Sequence, residues 1–367
     1  MHVVFSGGST GGHLFPGLAV AEQLRAHLPD VRITFCGNGQ PFDRMQVHSA
    51  GFPYRGFPSG PLSRSIRGLW EFYRRQQRGA RMAGDFLQSQ QASLVVGLGG
   101  YASAPAARAA GRQKIPLVLL EQNVVPGRAT RWLARAADIV CLTYEETRQH
   151  LRPDVMVAVT GNPVRKGFKK PQRLADRDHT PRLLILGGSG GAVDMNEHIP
   201  RALYRLRDQL AGWNIVHVSG PSTAPTERLY SSFDIKVTVR GFVTNMPELL
   251  SSSSLVISRA GGTTLSELAA SGVPALLIPY PHATDDHQRA NASVFVRAGA
   301  AEMLDLREFP VRPHLQLADM LSRLLTNDVR RRHMSDAMLS LSQPKASVDI
   351  ADLLVDLLCG RPQTIAA

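Results

Sequence analysis

The chain has 367 residues, which is too long for one average domain and fits two domains of about 150–200 residues. Hydrophobic residues make up 43% of it, so two ordinary cores can form and disorder is not indicated. The formal net charge of +12 indicates a phosphate-bearing partner, but charge alone does not choose among nucleic acid, anionic lipid and nucleotide.

The cysteines and the N-terminus indicate a compartment. Cys36, Cys141 and Cys359 lie far apart and form no paired motif, which favours a reducing environment. The first residues run straight into glycines, without the basic and apolar regions of a signal peptide. No apolar run approaches the ~18 residues needed to span a bilayer. We therefore expect a cytoplasmic protein without a membrane span.

The first half alternates short apolar runs with helical stretches. It opens with a predicted strand at His2–Ser6, a glycine-rich loop at Gly7–His13 and a helix. Further strands are predicted at Ile33–Cys36, Leu94–Gly97, Leu117–Leu120 and Ile139–Leu142. This alternation is typical of a parallel sheet covered by helices.

The second half repeats this plan after a polar linker predicted at Gly161–Pro163 and Lys166–Asp178. Its strands are predicted at Arg182–Leu186, Ile215–Ser219, Lys236–Val239, Leu255–Ser258 and Ala275–Ile278, and helices at Thr263–Ser271 and Gln288–Ala298. The sequence therefore predicts an α/β protein of two Rossmann-like domains facing a central cleft, where the carboxyl ends of the strands bind ligands.

Two glycine-rich loops each precede a helix, whose unpaired N–H groups suit an anion. Gly7–His13 matches neither the dinucleotide nor the Walker pattern, and a tight turn without a ligand is the alternative. His13 suits a base, because a helix N-terminus disfavours its protonated form, although it could merely cap the turn. In the second loop, Gly187–Gly191, the Ser189 hydroxyl could bond a diphosphate.

The stretch Ser258–Glu267 again indicates a strand, a glycine turn and a helix. Thr263 and Thr264 suit the first helical turn, where hydroxyls and N–H groups can hold phosphate oxygens. Glu267 follows one turn later and could accept both hydroxyls of a ribose. The alternative for Glu267 is a solvent-facing residue or a partner of the helix dipole.

The segment Pro279–Ala292 is rich in side chains suited to sugar hydroxyls. His282, Asp285, Asp286 and His287 could suggest a metal site, but their spacing matches no standard zinc pattern. We therefore expect no metal here.

Seven motifs in fixed order carry a resemblance. GGSTGGH, GLGGYASAP, EQN, GNPVR, GGSGGA, RAGGTTLSE and DDHQRANA resemble the MurG family of bacterial UDP-N-acetylglucosamine–lipid I transferases, which have the GT-B fold. Lipid I is undecaprenyl-pyrophosphoryl-muramoyl-pentapeptide. The resemblance implies inverting transfer of N-acetylglucosamine to the C4 hydroxyl of the muramoyl sugar, giving lipid II for peptidoglycan, without a cofactor. It implies an acceptor and membrane-facing domain at 1–162 and a UDP-sugar domain at 163–367, whose last helix could pack back on the first domain.

The resemblance also implies individual roles. It makes His13 the catalytic base. It assigns substrate contacts to Thr10, Gly11, Gly12, Asn123, Arg165, Ser189, Val243, Gly262, Thr263, Thr264, Leu265, Ser266, Glu267 and Gln288. Among them, it implies sugar contacts for Asn123 and Gln288, phosphate contacts for Arg165 and Ser189, a uracil contact for the Val243 backbone and a ribose contact for Glu267.

The sequence departs from the family pattern at three positions. Gly190 stands where the second loop usually has glutamine, Leu120 where histidine often precedes EQN, and Ser9 where the first loop often has glycine. The change at Gly190 puts one substrate contact in doubt. None of the three removes a residue that the reaction needs.

A basic segment at Leu62–Met82 holds six arginines and one acidic residue, Glu71. Its apolar residues recur at helical spacing at Ile66, Leu69, Trp70 and Tyr73. This pattern is typical of an interfacial helix on anionic lipid, and a core face flanked by solvated arginines is the alternative. We expect these four residues to contact an anionic membrane, with the enzyme peripheral on the cytoplasmic face of the bacterial inner membrane.

Two other functions remain open. A hydrolase or epimerase similar to UDP-N-acetylglucosamine 2-epimerase shares this architecture, but the helix with Trp70 favours transfer to a lipid. A nucleic-acid-binding protein would fit the charge, but no DNA- or RNA-binding motif appears, and we expect no nucleic-acid partner.

Overall fold

The computed structural model describes residues 1–8, 10–61, 65–168, 173–174, 180–188 and 191–361. The chain divides into two compact units. Unit 1 comprises Met1–Arg165 and the segment that begins at Gln343, and unit 2 comprises Lys166–Ser342. Unit 1 thus ends slightly later than the predicted boundary at residue 162. The predicted linker Lys166–Asp178 lies mostly outside the described residues.

Each unit is built on one parallel sheet. Unit 1 contains β1 (His2–Ser6), β2 (Arg32–Gly37), β3 (Tyr54–Gly56), β4 (Leu94–Gly97), β5 (Leu117–Glu121), β6 (Ile139–Leu142) and β7 (Val157–Val159). Unit 2 contains β8 (Arg182–Leu186), β9 (Asn214–Val218), β10 (Thr238–Arg240), β11 (Leu255–Ser258), β12 (Ala275–Leu277) and β13 (Ala301–Met303). The orders are β3-β2-β1-β4-β5-β6-β7 and β10-β9-β8-β11-β12-β13. The winding direction reverses between β1 and β4 and between β8 and β11, the places where such sheets bind ligands.

Helices cover the sheets. They are α1 (Gly11–His27), α2 (Pro41–Ser49), α3 (Ile66–Ser89), α4 (Ala104–Gln113), α5 (Arg128–Leu133), α6 (Val193–Arg205), α7 (Ala224–Ser232), α8 (Met246–Ser251), α9 (Gly262–Ser271), α10 (His287–Arg297), α11 (Pro313–Thr326), α12 (Asp328–Ser340) and α13 (Ala346–Cys359). Among the described residues, none of the helices combines the length and apolar character needed to cross a membrane.

The cores follow from strand alternation, because successive side chains point to opposite faces of a sheet. In unit 1, Phe5 of β1 packs in one core with α1 and α13, whereas Val4 packs in a second core with α3 and α4. Ile350 and Leu354 of α13 are fully buried in the first of these cores. The C-terminal helix is therefore an integral part of unit 1. In unit 2, α6 and α11 cover one face of the sheet.

The central strands were predicted and several edge strands were not. Each of the ten predicted strands is present, with ends shifted by a few residues in some cases. The strands that were missed are β3, β7 and β13, each three residues long and each at the edge of its sheet. Edge strands are often short and bury fewer side chains, so their apolar pattern is weak.

Candidate functional site

Three loops of unit 1 begin side by side at the carboxyl ends of neighbouring central strands. β1, β4 and β5 are neighbours, and the register pairs Ser6 with Gly97 and Gly97 with Leu119. The loops that follow these strands therefore start at the same level. They carry the predicted residues Thr10 to His13, the turn around Gly99, and Asn123.

His13 is fixed in the first turn of α1 by contacts on two sides. The Thr10 hydroxyl makes no hydrogen bond to the helix backbone and instead lies 3.1 Å from Nδ1 of His13. The ring lies against the turn after β4, where a Cβ added to Gly99 would be only 2.9 Å from its Cδ2 atom. Gly99 also has φ +93°, which favours glycine. Only glycine at this position leaves room for the imidazole ring of His13.

Gly99 is a site residue that we did not single out from the sequence, although it stands in the motif GLGGYASAP. A second glycine supports the same arrangement from within α1. A Cβ at Gly17 would be 2.5 Å from Cδ1 of Leu98, so the helix packs directly on this turn. Close approach is visible only once the chain is folded, and for this reason the sequence pattern did not reveal it.

Asn123 is oriented by a buried carboxylate. Oε1 of Glu121 accepts hydrogen bonds from the backbone N and the Nδ2 of Asn123, both at 3.0 Å. Its Oε2 accepts one from Gly127 N at 2.9 Å, and Glu121 is only 3% exposed. The carboxylate therefore fixes which way the amide of Asn123 points. Glu121 is a second residue whose role the sequence did not disclose, since the EQN motif alone does not separate its members.

Arg165 lies in unit 1, not in the second domain where the predicted boundary put it. Its guanidinium sits 3.9 Å from the centroid of the Phe15 ring on α1, a cation–π contact that holds it beside the first glycine loop.

Most of the predicted donor residues of unit 2 follow β8, β11 and β12, which are neighbours, whereas Val243 follows β10. In the loop after β8, Gly191 has φ +76°, and a Cβ there would be 2.6 Å from the carbonyl oxygen of Ser219. Glycine is thus required where the loop passes the end of β9. Ser189, the predicted phosphate contact, and Gly190 lie outside the described residues.

The predicted nucleotide segment forms the first turns of α9. It comprises Gly262, Thr263, Thr264, Leu265, Ser266 and Glu267. Thr263 and Glu267 are both buried and lie one turn apart on the same face, so Glu267 is not the solvent-facing residue of the alternative. Leu265 is 0% exposed, which leaves only its backbone for a ligand. Ser266 donates its hydroxyl to the carbonyl oxygen of Gly262 at 3.1 Å.

A buried arginine connects the loops of unit 2. Arg259, 7% exposed, forms an ion pair with Asp194 in the first turn of α6 and donates to the carbonyl oxygens of Ile278 (3.1 Å) and Pro279 (3.3 Å). Burial by itself raises the pKa of Asp194, but the hydrogen bond and charge of Arg259 outweigh it and hold that pKa below its usual value. The carboxylate of Asp194 therefore stays ionised, and the ion pair joins three loop ends.

Gln288 is part of this loop framework. Its Oε1 accepts hydrogen bonds from Ala260 N at 3.2 Å and Tyr280 N at 2.9 Å. The fully buried Asn291 donates to the carbonyl oxygen of Ala260 at 3.1 Å. The predicted sugar contact therefore has its oxygen occupied by the backbone, and its Nε2 group is the part that a ligand can use.

The remaining residues considered in unit 2 are Val243 and the candidate metal ligands. Val243, between β10 and α8, is 7% exposed. Of the residues considered as metal ligands, Asp286 forms an ion pair with Arg307, and His287 Nδ1 lies 2.7 Å from the carbonyl oxygen of Thr284. The described residues contain no group of three or more His, Cys, Asp or Glu side chains arranged to hold a metal ion.

The basic helix α3 exposes Leu69, Trp70 and Tyr73. Trp70 is 60%, Tyr73 57% and Leu69 44% exposed, so the alternative that these residues form a core face is wrong. The guanidinium of Arg74 lies 4.5 Å from the centroid of the Trp70 ring. Ala83, on another face of α3, is fully buried and packs in the core with α4. The side chain of Ile66 lies outside the described residues.

Family models match both units. Residues 3–142 match the glycosyltransferase family 28 N-terminal domain, and residues 182–353 match the glycosyltransferase family 28 C-terminal domain. The two matches divide the chain much as the two sheets do.

Relatives match almost the full length. The chain is 32% identical to a UDP-N-acetylglucosamine–N-acetylmuramyl-(pentapeptide) pyrophosphoryl-undecaprenol N-acetylglucosamine transferase of Anaeromyxobacter sp., over 98% of this chain and 94% of that protein. It is 34% identical to the protein of the same description from Chlorobaculum tepidum, over 97% and 99%.

Solved structures agree in fold. The crystal structure of Acinetobacter baumannii MurG is similar with a TM-score of 0.75 and 27% identity, covering 97% of this chain and 99% of that one. A putative UDP-N-acetylglucosamine 2-epimerase from Listeria monocytogenes has a TM-score of 0.71 over 98% of this chain and 97% of that one. Its identity is only 14%, so this likeness concerns the fold alone.

Proposed function

The chain belongs to the family of UDP-N-acetylglucosamine–N-acetylmuramyl-(pentapeptide) pyrophosphoryl-undecaprenol N-acetylglucosamine transferases, the MurG family, and from this premise we propose how its residues carry out the transfer. Its fold is GT-B, with two Rossmann-like units. It moves N-acetylglucosamine from UDP-N-acetylglucosamine to the C4 hydroxyl of the muramoyl sugar of lipid I, with inversion, and so forms lipid II.

The observation that carries the mechanism is the placement of His13 between Thr10 and Gly99. We assign His13 as the base that takes the proton of the C4 hydroxyl as that oxygen attacks the anomeric carbon. If Nδ1 donates its proton to Thr10 Oγ1, 3.1 Å away, Nε2 is the acceptor that the reaction needs. The bond from the anomeric carbon to the diphosphate oxygen breaks, and UDP leaves from the opposite face.

The donor is assigned to unit 2, with the backbone of Val243 toward uracil and Glu267 toward the ribose. The N-terminus of α9 favours a diphosphate, since its first-turn N–H groups and helix dipole attract anions. Gln288 offers its Nε2 to a sugar hydroxyl, and Asn123 of unit 1 is assigned a second sugar contact.

The departing UDP gathers negative charge that must be stabilised. Arg165 is the cationic group that we assign to this task, supported by its fixed position on the Phe15 ring. Ser189 is the hydroxyl contact that the resemblance implies. Thr10, Gly11 and Gly12 are assigned to the donor sugar or to the pyrophosphate of the acceptor, because glycines let a ligand approach the backbone closely.

The test of the function is product identification. Labelled UDP-N-acetylglucosamine is incubated with the enzyme, with and without lipid I, and the labelled product is identified together with its linkage. The account requires label in a lipid, joined at C4 of the muramoyl sugar, only when lipid I is present. Free N-acetylglucosamine or a 2-epimer formed without the acceptor would support a hydrolase or epimerase instead.

We also propose that α3 rests on an anionic membrane, which places the enzyme peripherally on the cytoplasmic face of the inner membrane. The proposal is supported by the exposed Leu69, Trp70 and Tyr73 amid arginines. A lipid-linked acceptor also requires that the enzyme reach the bilayer surface.

Vesicle binding tests this surface. The variant Trp70→Ala/Arg74→Gln should bind anionic vesicles about tenfold more weakly, since each basic residue near such a surface contributes ~1 kcal/mol. The control is Tyr204→Ala/Arg207→Gln, which removes a similar exposed pair from unit 2, where Arg207 lies 5.3 Å from the Tyr204 ring centroid. Equal loss in both variants, or no loss in the first, would contradict the assignment.

A further inference from the structure

A strained turn lies immediately before Gln288. Asp285 and Asp286 both have left-handed backbone angles, with φ +53° and +54°. Aspartate adopts this conformation more readily than most residues other than glycine, but two such residues in succession persist only when the surroundings hold them. The turn leads directly into α10, whose second residue is Gln288.

Arg307 ties the Asp286 side chain of this turn to the body of unit 2. Its Nη2 donates to Oδ2 of Asp286 at 3.1 Å and to Oδ2 of Asp305 at 2.6 Å. Asp305 is nearly buried, with a side chain 3% exposed, so it anchors the guanidinium to the body of unit 2. Within the part of the chain that the structure describes, Oδ1 of Asp286 is buried and accepts no hydrogen bond. The carboxylate of Asp286 therefore relies on Arg307.

We propose that Arg307 is a positioning residue for the donor sugar: its ion pair with Asp286 fixes the left-handed turn that aims Gln288 at a sugar hydroxyl. The inference rests on the proposed sugar contact of Gln288. Because Oε1 of Gln288 accepts from the backbone amides of Ala260 and Tyr280, the direction of its Nε2 group depends on where α10 begins relative to these amides. A small rotation of the start of α10 would move the Nε2 group relative to the sugar.

The experiment compares two ligands that differ by the sugar. Dissociation constants of UDP-N-acetylglucosamine and of UDP are measured by calorimetry on the full chain for Arg307→Gln. The expected result is a roughly tenfold weaker affinity for the sugar nucleotide with UDP affinity unchanged, because a misplaced Nε2 group loses its hydrogen bond to the sugar. A ratio equal to that of the wild type would overturn the proposal.

Arg289→Gln is the matched control. Arg289 contacts the same group of carboxylates as Arg307, but among the described residues its ion pairs are with Glu308 at 3.0 Å and Asp305 at 3.7 Å, not with Asp286. We expect its ratio of affinities to match the wild type. An equal loss in Arg289→Gln would show that general loss of charge, not the turn, is responsible, and would overturn the proposal.

Asp286→Asn removes the ion pair from the other side while keeping a residue that tolerates the left-handed conformation. If Arg307→Gln does not fold, Asp286→Asn alone carries the test, with a smaller loss in the same direction expected. If both variants fold, the double variant should lose no more affinity for the sugar nucleotide than Arg307→Gln, because both changes break the same ion pair. Additive losses of affinity would count against the proposal.

Gln288→Ala separates the two levels of inference. If Gln288→Ala leaves the ratio of affinities unchanged, the sugar contact in the proposed function is wrong, and the role of Arg307 falls with it. If Gln288→Ala lowers the sugar nucleotide affinity but Arg307→Gln does not, only the positioning role is wrong.

Discussion

The two units follow one plan but hold their loops by different means. In unit 1 the loops are held by close approach, with the His13 ring against Gly99 and α1 against Leu98. In unit 2 close approach occurs at Gly191, but two ion pairs, Arg259 with Asp194 and Arg307 with Asp286, also hold the loops. This contrast matches the tasks we assign. A general base needs an exact position, whereas a nucleotide diphosphate is an anion that a charged framework can surround.

The largest expected effect tests the role of unit 1 in catalysis. His13→Ala should lower kcat by about 10²–10⁴-fold, because loss of a general base usually costs this much. The assay is the steady-state rate of lipid II formation with both substrates saturating. His27→Ala is the control, since His27 lies at the other end of the same helix and faces Asp352 at 3.0 Å. A rate for His13→Ala within about threefold of wild type would remove His13 as the base.

The next effect tests whether close approach matters apart from backbone strain. Gly99→Ala should lower kcat by roughly 10–100-fold, since a displacement of about 1 Å in a catalytic group can cost this much. Gly39 is a matched control, because it has φ +86° but nothing within 4 Å of its added Cβ, whereas Gly99 has φ +93° and meets the His13 ring. Similar kinetics of Gly99→Ala and Gly39→Ala would mean that the ring contact is not important.

On the unit 2 side, Glu267→Ala should weaken UDP binding by about tenfold, the size of one lost charge-assisted hydrogen bond. The ribose is part of UDP, so UDP and UDP-N-acetylglucosamine should lose affinity equally in calorimetry. Glu197→Ala is the control, since this side chain is 51% exposed and pairs with Arg201. Unchanged UDP affinity in Glu267→Ala would reject the ribose contact.

The smallest effect concerns a buried histidine in the framework of unit 2. His217 lies between Tyr230 Oη at 2.9 Å and Asn196 Oδ1 at 3.1 Å, and burial lowers its pKa from 6.5 to about 3. The folded protein therefore stays unprotonated here while the unfolded chain binds a proton below pH 6.5. The free energy of unfolding should fall with decreasing pH by up to ~1.4 kcal/mol per pH unit from this group, between the two pKa values.

The measurement is urea denaturation at about pH 7 and about pH 5, followed by tryptophan fluorescence. The glutamine in His217→Gln does not titrate. The free energy of unfolding of this variant should therefore fall less over this interval, by up to ~1.4 kcal/mol per pH unit. An identical pH dependence in the two proteins would contradict the neutral, buried state of His217.

The sequence predicts the central architecture because fully buried strands such as Val3 to Phe5 are recognisable as apolar runs. It does not predict edge strands such as Tyr54–Gly56, where burial is partial. Glycine loops and their helices are also predictable, since both glycines and helix starts have local causes. The roles of Gly99 and Glu121 are not predictable in this way. Gly99 matters through its contact with His13, which is distant in the chain, and Glu121 through the direction of its side chain.

The same limit applies to residues that the resemblance brought forward. It directs attention to the start of α9, but the burial of Leu265 shows that only its backbone can serve a ligand. It singles out Gln288 without revealing that Oε1 is bonded to two backbone amides. Arg307 stands in no motif, and only the folded chain brings it to Asp286.

The most direct test of this division of labour is the dissociation constant of UDP-N-acetylglucosamine for the inactive His13→Ala variant, measured by calorimetry beside Glu267→Ala. We predict that His13→Ala binds the donor as tightly as the wild type, within about twofold, and that Glu267→Ala does not. A loss of donor affinity in His13→Ala large enough to account for its loss of activity would contradict the assignment of proton transfer to unit 1 and donor binding to unit 2.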